Sequence, residues 1–479
     1  MLELPLAVIF LFFVSFFPGR SVVERLQFTR LEKFCAGFGV SFFIFFVAGF
    51  LGFIFNLPPL PFHQIIVASS LLYSAWTLLR FRWLGKEELV WLGILFTAYV
   101  FIISIQGLLP NYIGGSWIYD WYEHYARMQY FLLRLPIHTH FGPYLLPARP
   151  PLFNVVAFFW QSMVGAQFWR YQLAASMMNL TLILTGWLFV AKFLKRQINL
   201  KFLLFATAVF LLNPAVVVEL TFTWSKALAV YYLLTGFYFY LKFRDGNPRH
   251  IFLAAVFLGA AYLTHYLAVP YILGIIIDGI RQSILDISKV RARIIGLLIF
   301  ISIVSLWYAW AGSRFGLGQA FLGNTAYEWQ KNMSWGERIT KDLSNFRRTF
   351  IPLISSAQAP YLQTVVSQGN PLLIIYDLAF SFYQTTFPGL LTVTLSLLLF
   401  SGLFYKIKTN GFKNIRSQNW RYIFNKFSIW FWFILAGILG LLTVPARYAS
   451  GVAHLILLPM SSLGITYAAV ILFQFKFKR

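Results

Sequence analysis

Charge is scarce in this chain, and negative charge most of all. Asp and Glu number 15 in 479 residues, against 39 Lys and Arg, and only 11% of positions are charged at all. A soluble globular chain carries about a quarter. With 59% hydrophobic residues and a mean hydropathy of +0.70, that shortage excludes a soluble domain wrapped around one core. Cysteine is nearly absent. The single Cys35 excludes an intramolecular disulfide and a thiolate metal site. No glycine-rich phosphate loop follows a strand pattern, and no Gly-x-Ser-x-Gly elbow occurs, so ATP-driven chemistry within the chain is not expected.

Apolar runs and aromatic residues are abundant instead. Phe, Trp and Tyr make up 20% of the chain, which suits extensive interfacial and lipid-facing surface. A spanning helix needs about 20 mostly apolar residues. Thirteen segments meet or approach that length: roughly 1–18, 37–56, 64–79, 88–108, 169–191, 202–220, 225–243, 251–265, 267–280, 293–312, 386–405, 429–446 and 453–474. The expected fold is all-α and polytopic. The first segment lacks a basic leader and a small-residue cleavage site, and reads as a retained span. The continuous apolar run over 251–280 is split near His265.

The net charge of +24 does not point to nucleic acid, because the basic residues form no aromatic-interleaved or amphipathic patch. They fall in alternate loops: 27 of the 39 Lys and Arg lie on one side of a thirteen-span arrangement. The positive-inside rule makes that side cytoplasmic, with the N-terminus outside and the C-terminus inside. Two long segments then face outward, 109–168 and 313–385. Within the first, residues 152–165 are apolar but too short to span, and are expected as an amphipathic helix at the outer interface.

Ionisable residues are informative where charge is costly. In residues 116–134 a helical period sets Asp120, Glu123, His124, Arg127 and Arg134 on one face. Two readings stand: a solvated face of local ion pairs, or an acid–base site beside an anion site. Arg149 precedes Pro150 and Pro151, which force extended chain. It either snorkels into bulk phospholipid or grips a lipid phosphate. Lys226, His265 and Arg447 with Tyr448 share the same membrane level. Lys226 has Glu219 as a simple alternative partner, and a lone His such as His265 is more often structural than catalytic. His138 and His140, with Asp120, Glu123 and His124, are the candidate ligands if a divalent metal is used.

The order of these features resembles a GT-C-type membrane glycosyltransferase, in the protein O-mannosyltransferase and aminoarabinose-transferase-like group. The matching elements are a span over 88–108, the acidic YDWYEHYARM, the basic-Pro-Pro-Leu element ARPPLFN, an interfacial helix ending at Gly165, FWRYQLAASMMN, and ARYASGVAHLILLPM. The resemblance covers roughly residues 88–475 and implies a GT-C-like domain over 88–479, with residues 1–87 as extra N-terminal helices. Asp120 and Glu123 stand three apart where the family has an adjacent Asp-Glu pair, and Arg149 stands where Lys is frequent. The resemblance implies inverting transfer of a sugar from a polyprenyl-phosphate donor to a glycan, lipid or protein acceptor outside the membrane. It implies Asp120 as base with Glu123 second, and Arg149, Lys226 and Arg447 on the donor phosphate. His124, Arg127, His265 and Tyr448 are supporting. The rival expectations are a transporter or flippase for a lipid-linked substrate, whose signature is inverted repeats with broken helices at the midplane, and a polymerase or ligase of another membrane fold.

Overall fold

The computed structural model describes residues 3–109, 120–194, 199–323, 330–350, 370–376, 378, 419–444 and 453–477. Among them there is no strand, only an isolated bridge between Phe141 and Tyr144. The helices are α1 (Glu3–Glu24), α2 (Arg30–Ile54), α3 (Pro59–Phe81), α4 (Lys86–Leu108), α5 (Asp120–Leu133), α6 (Leu152–Val164), α7 (Phe168–Leu180), α8 (Leu182–Leu194) and α9 (Leu200–Leu211). They continue with α10 (Pro214–Thr221), α11 (Lys226–Arg244), α12 (His250–Thr264), α13 (Ala268–Leu285), α14 (Val290–Phe315) and α15 (Leu317–Leu322). The last three labelled here are α16 (Trp335–Phe350), α17 (Asn419–Gly440) and α18 (Ala453–Phe477).

Eight helical stretches among the described residues are long and apolar enough to cross a membrane. They are α1, α2, α3, α4, α7 joined with α8, α13, α14 with its preceding turn, and Ile456–Phe473 of α18. They fit a multi-pass membrane protein. Thirteen spans were expected; the segment 386–405 lies outside the described residues. The segment 202–220 is not one helix. It breaks between α9 and α10 because Pro214 has no N–H to continue the ladder and disfavours helical geometry at Asn213. The split near His265 does occur: α12 ends at Thr264 and His265 is extended.

Packing follows small residues and local caps. Thr29 opens α2 with a capping box: its hydroxyl accepts from Glu32 N at 3.3 Å, while Glu32 Oε2 accepts from Thr29 N at 2.8 Å. The α1–α2 hairpin closes at Gly19 and Gly37, where a Cβ on Gly19 would fall 2.0 Å from the Gly37 carbonyl. Such close backbone approach is how helices associate where lipid removes the hydrophobic drive.

Inter-helix polar contacts sort the loops into two ends. At one end Lys242 pairs with Glu32 at 3.1 Å, Lys192 with Asp245 at 2.8 Å and Arg244 with Asp278 at 3.4 Å. At the other, Arg170 pairs with Glu3 at 2.8 Å, Arg134 donates to Leu57 O at 2.6 Å and Lys341 donates to Leu442 O at 3.0 Å.

One expectation changes. Helix α6 was expected to lie amphipathically on the membrane surface, but Leu152–Gln161 are all buried. Phe159 stacks on Phe45 of α2 at 4.6 Å, Ser162 hydrogen-bonds His63 of α3 at 2.6 Å, and Phe158 stacks on Phe131 of α5 at 6.2 Å. An apolar helix too short to span can still bury every face when neighbours enclose it. Here α2, α3, α5 and α7 do so.

Candidate functional site

The site grows from the α5–α6 hairpin. Asp120 begins α5, and its polar face turns inward: His124 is 5% and Arg127 0% exposed, while Tyr122 on another face is 48% exposed. The solvated-face reading therefore fails. Arg134 leaves the stripe. The helix ends at Leu133, Arg134 adopts φ +52°, and its guanidinium turns to the carbonyls of Phe53 and Leu57.

The chain returns through a short 3-10 turn over Leu146–Ala148 and an extended Arg149 (φ −127°, ψ 142°) that the two prolines impose. Arg149 then reaches back to α5. Its Nη2 lies 3.1 Å from Glu123 Oε2 and 3.8 Å from Asp120 Oδ1, and its Nε donates to Glu123 Oε1 at 3.4 Å. Arg127 approaches Glu123 from the other side, donating through Nε at 2.9 Å. The same guanidinium donates to Leu146 O at 2.7 Å and stacks over Phe141 at 4.6 Å, fixing the turn that carries Arg149. His124 Nδ1 donates to Asn154 Oδ1 at 3.0 Å, locking α5 to α6.

Lys226 joins from 106 residues away in the chain. It opens α11, is 2% exposed, and rests on the Trp224 ring at 3.2 Å. Thr223 donates to Trp121 O at 3.2 Å, tying this turn to the first turn of α5. The Lys226 charge acts on both Asp120 and Arg149.

The two carboxylates are not equivalent. Burial pushes the Asp120 carboxyl above its ordinary range, although Arg149 and Lys226 oppose it. Burial works in the same direction on Glu123, but Arg149 and Arg127 outweigh it and hold that carboxyl well below the usual range. Asp120 is also the more open, at 21% side-chain exposure against 13% for Glu123. The cluster thus offers one basic, reachable carboxylate beside cations, and one carboxylate locked as their anchor.

Of the residues singled out in sequence, Asp120, Glu123, His124, Arg127, Arg149 and Lys226 come together. His265 does not reach them by any described contact. Its Nδ1 accepts from Leu267 N at 3.0 Å and shapes the α12–α13 turn. The neighbouring Tyr266 is the contributor instead, donating to Pro147 O at 3.2 Å. Neither Tyr266 nor Asn154 was singled out. A polar side chain inside the apolar α6 was the available signal for Asn154; Tyr266 had none. Arg447 and Tyr448 lie outside the described residues. Among the described residues no three His, Cys, Asp or Glu side chains group to hold a metal ion, and His138 and His140 are exposed.

His124 gives a pH prediction. Burial lowers its pKa from 6.5 to about 4, against the pull of Glu123. The unfolded chain then takes up this proton first, so stability is full above pH 6.5 and declines as pH falls toward 4. The loss is at most about 3 kcal/mol. In detergent, the thermal midpoint of the wild type should fall between pH 7 and 4.5, and that of His124→Gln should fall less. Identical pH profiles would contradict the assignment.

No family model, curated protein or solved structure matches this chain.

Proposed function

We propose that this chain is a GT-C-like membrane glycosyltransferase that moves a sugar from a polyprenyl-phosphate donor to an acceptor on the outer side, with inversion. The observation that carries this reading is the cluster in which Arg149 lies 3.8 Å from Asp120 and 3.1 Å from Glu123, with the buried Lys226 close enough for its charge to act on Asp120. In the reaction, the acceptor hydroxyl oxygen bonds to the anomeric carbon as the bond from that carbon to the phosphate oxygen breaks. Asp120 takes the hydroxyl proton. The leaving phosphate keeps the electron pair, and Arg149 and Lys226 neutralise its charge. Glu123 holds the two guanidiniums in register. Arg447 is a third donor-phosphate candidate on sequence grounds. The test is incubation of purified protein with a panel of radiolabelled polyprenyl-phosphate sugars. One sugar should leave its lipid, and the product's anomeric configuration should be opposite to the donor's. Movement of an intact lipid-linked substrate across a bilayer, with no sugar released, would instead indicate a transporter.

The proposal includes thirteen spans with the N-terminus outside and the C-terminus cytoplasmic. Cysteines introduced at Gly115 and Thr340 should react with an impermeant reagent in intact cells, and one at Gly411 should not. Labelling at Gly411 from outside would reverse the orientation and remove the site from the outer surface.

A further inference from the structure

A second cationic site lies at the end of the bundle with the basic loops, remote from Asp120. A cavity of about 440 Å³ opens between α8, α11, α13, α14 and α17. Lys192, Arg244, Lys289 and Arg293 line it, against the carboxylates of Asp245 and Asp286. Leu241, Leu285 and Trp430 form its apolar wall. The positive-inside rule explains why Lys and Arg occur in these loops. It does not explain why four of them, from three helices and the turn before α14, converge on one cavity.

Three of the cations have nearby carboxylates. Lys192 pairs with Asp245 at 2.8 Å, Arg244 with the buried Asp278 at 3.4 Å and Lys289 with Asp286 at 4.0 Å. Arg293 makes its hydrogen bonds to neutral groups, while the Asp286 carboxylate acts on it at longer range. It donates to Ser283 Oγ at 3.2 Å and to the Asp286 backbone carbonyl at 3.0 Å. Its Nε is buried with no hydrogen-bond partner among the described residues. A buried guanidinium donor left unmatched is costly, and a phosphate oxygen matches a guanidinium fork. The volume falls within the range of small-ligand sites, about 300–1,000 Å³.

We infer that this cavity binds a net-anionic phosphate group, one with no attached cation to offset its charge, carried on a lipid of the adjacent leaflet or free. Arg293 and Arg244 contact the phosphate, Lys192 and Lys289 close over it, and the Trp430 side accepts apolar chain. The inference stands apart from the proposed transferase reaction, which lies at the other end.

The test is native mass spectrometry of the purified full-length protein with dioleoylphosphatidylglycerol, dioleoylphosphatidylcholine or inorganic phosphate. Wild type should retain phosphatidylglycerol at least about tenfold more strongly than phosphatidylcholine, a difference of roughly 1.4 kcal/mol. The Lys192→Gln/Lys289→Gln double variant and Arg293→Gln should each lose about tenfold for phosphatidylglycerol, with phosphatidylcholine unchanged. Arg80→Gln, in the last turn of α3, should bind as wild type. Displacement of the lipid by millimolar inorganic phosphate identifies a free phosphate as the ligand; resistance to displacement identifies the lipid. Equal retention of the two lipids by wild type overturns the inference and needs no variant to fold. Unchanged binding in the variants overturns it equally.

Discussion

Asp120→Asn is expected to lower turnover by about 10²–10⁴-fold while the protein stays in the membrane at normal levels. The substitution keeps size and removes the charge that accepts a proton. The geometry separates it from Glu123. Glu123 accepts from Arg127 at 2.9 Å and from Arg149 at 3.1 Å, which makes it a weak base. Among the described residues, the ion pair of Asp120 is the longer 3.8 Å approach of Arg149, and burial raises its pKa. A general base works best when its pKa approaches the operating pH. Activity should therefore rise with pH as Asp120 loses its proton, with the acidic limb displaced above the ordinary carboxylate range. Glu123→Gln should act differently. It leaves Arg127, which is 0% exposed, without its carboxylate, so the thermal midpoint should fall along with activity. If Glu123→Gln abolishes transfer in a fully stable protein and Asp120→Asn is mild, the two roles are reversed.

Arg149→Lys is expected to cost about 10–100-fold in kcat/KM for the donor, although the charge is retained. The guanidinium spans three carboxylate oxygens at once, two on Glu123 and one on Asp120. An ammonium is a single point and lacks the planar fork. Losing a charge-assisted hydrogen bond is worth about 1.5–3 kcal/mol, which corresponds to that range. The fold should survive, because Glu123 keeps Arg127 at 2.8 Å. The loss should appear in donor handling, with acceptor preference unchanged. If Lys serves as well as Arg at position 149, the residue does not grip a phosphate.

The helical period correctly grouped Asp120, Glu123, His124 and Arg127, because 3.6-residue spacing is a local property. It could not say which face is buried. In an aqueous protein a stripe so polar faces water; here its inner neighbours are the Leu145 and Leu146 carbonyls, Asn154 and Arg149. Arg134 shared the period but not the helix, since a left-handed residue ends α5 one position earlier than the pattern implies. Length and the alternation of basic loops keep segment 152–165 from spanning, but neither says anything about the neighbours that enclose α6. Pro214 was a readable break within 202–220. The approach of Lys226 to Asp120 depends on the α10–α11 turn docking against Trp121, a tertiary contact that no local pattern encodes. Tyr266 is in the same position.

The most direct measurement is release of labelled sugar from a polyprenyl-phosphate donor, run in parallel on wild type and Asp120→Asn at matched membrane levels. The account predicts release by the wild type that rises through the titration of Asp120, and loss of at least about a hundredfold in the variant. Release of equal rate from both proteins would contradict the assignment of Asp120, and no release of any sugar by the wild type would contradict the transferase reading itself.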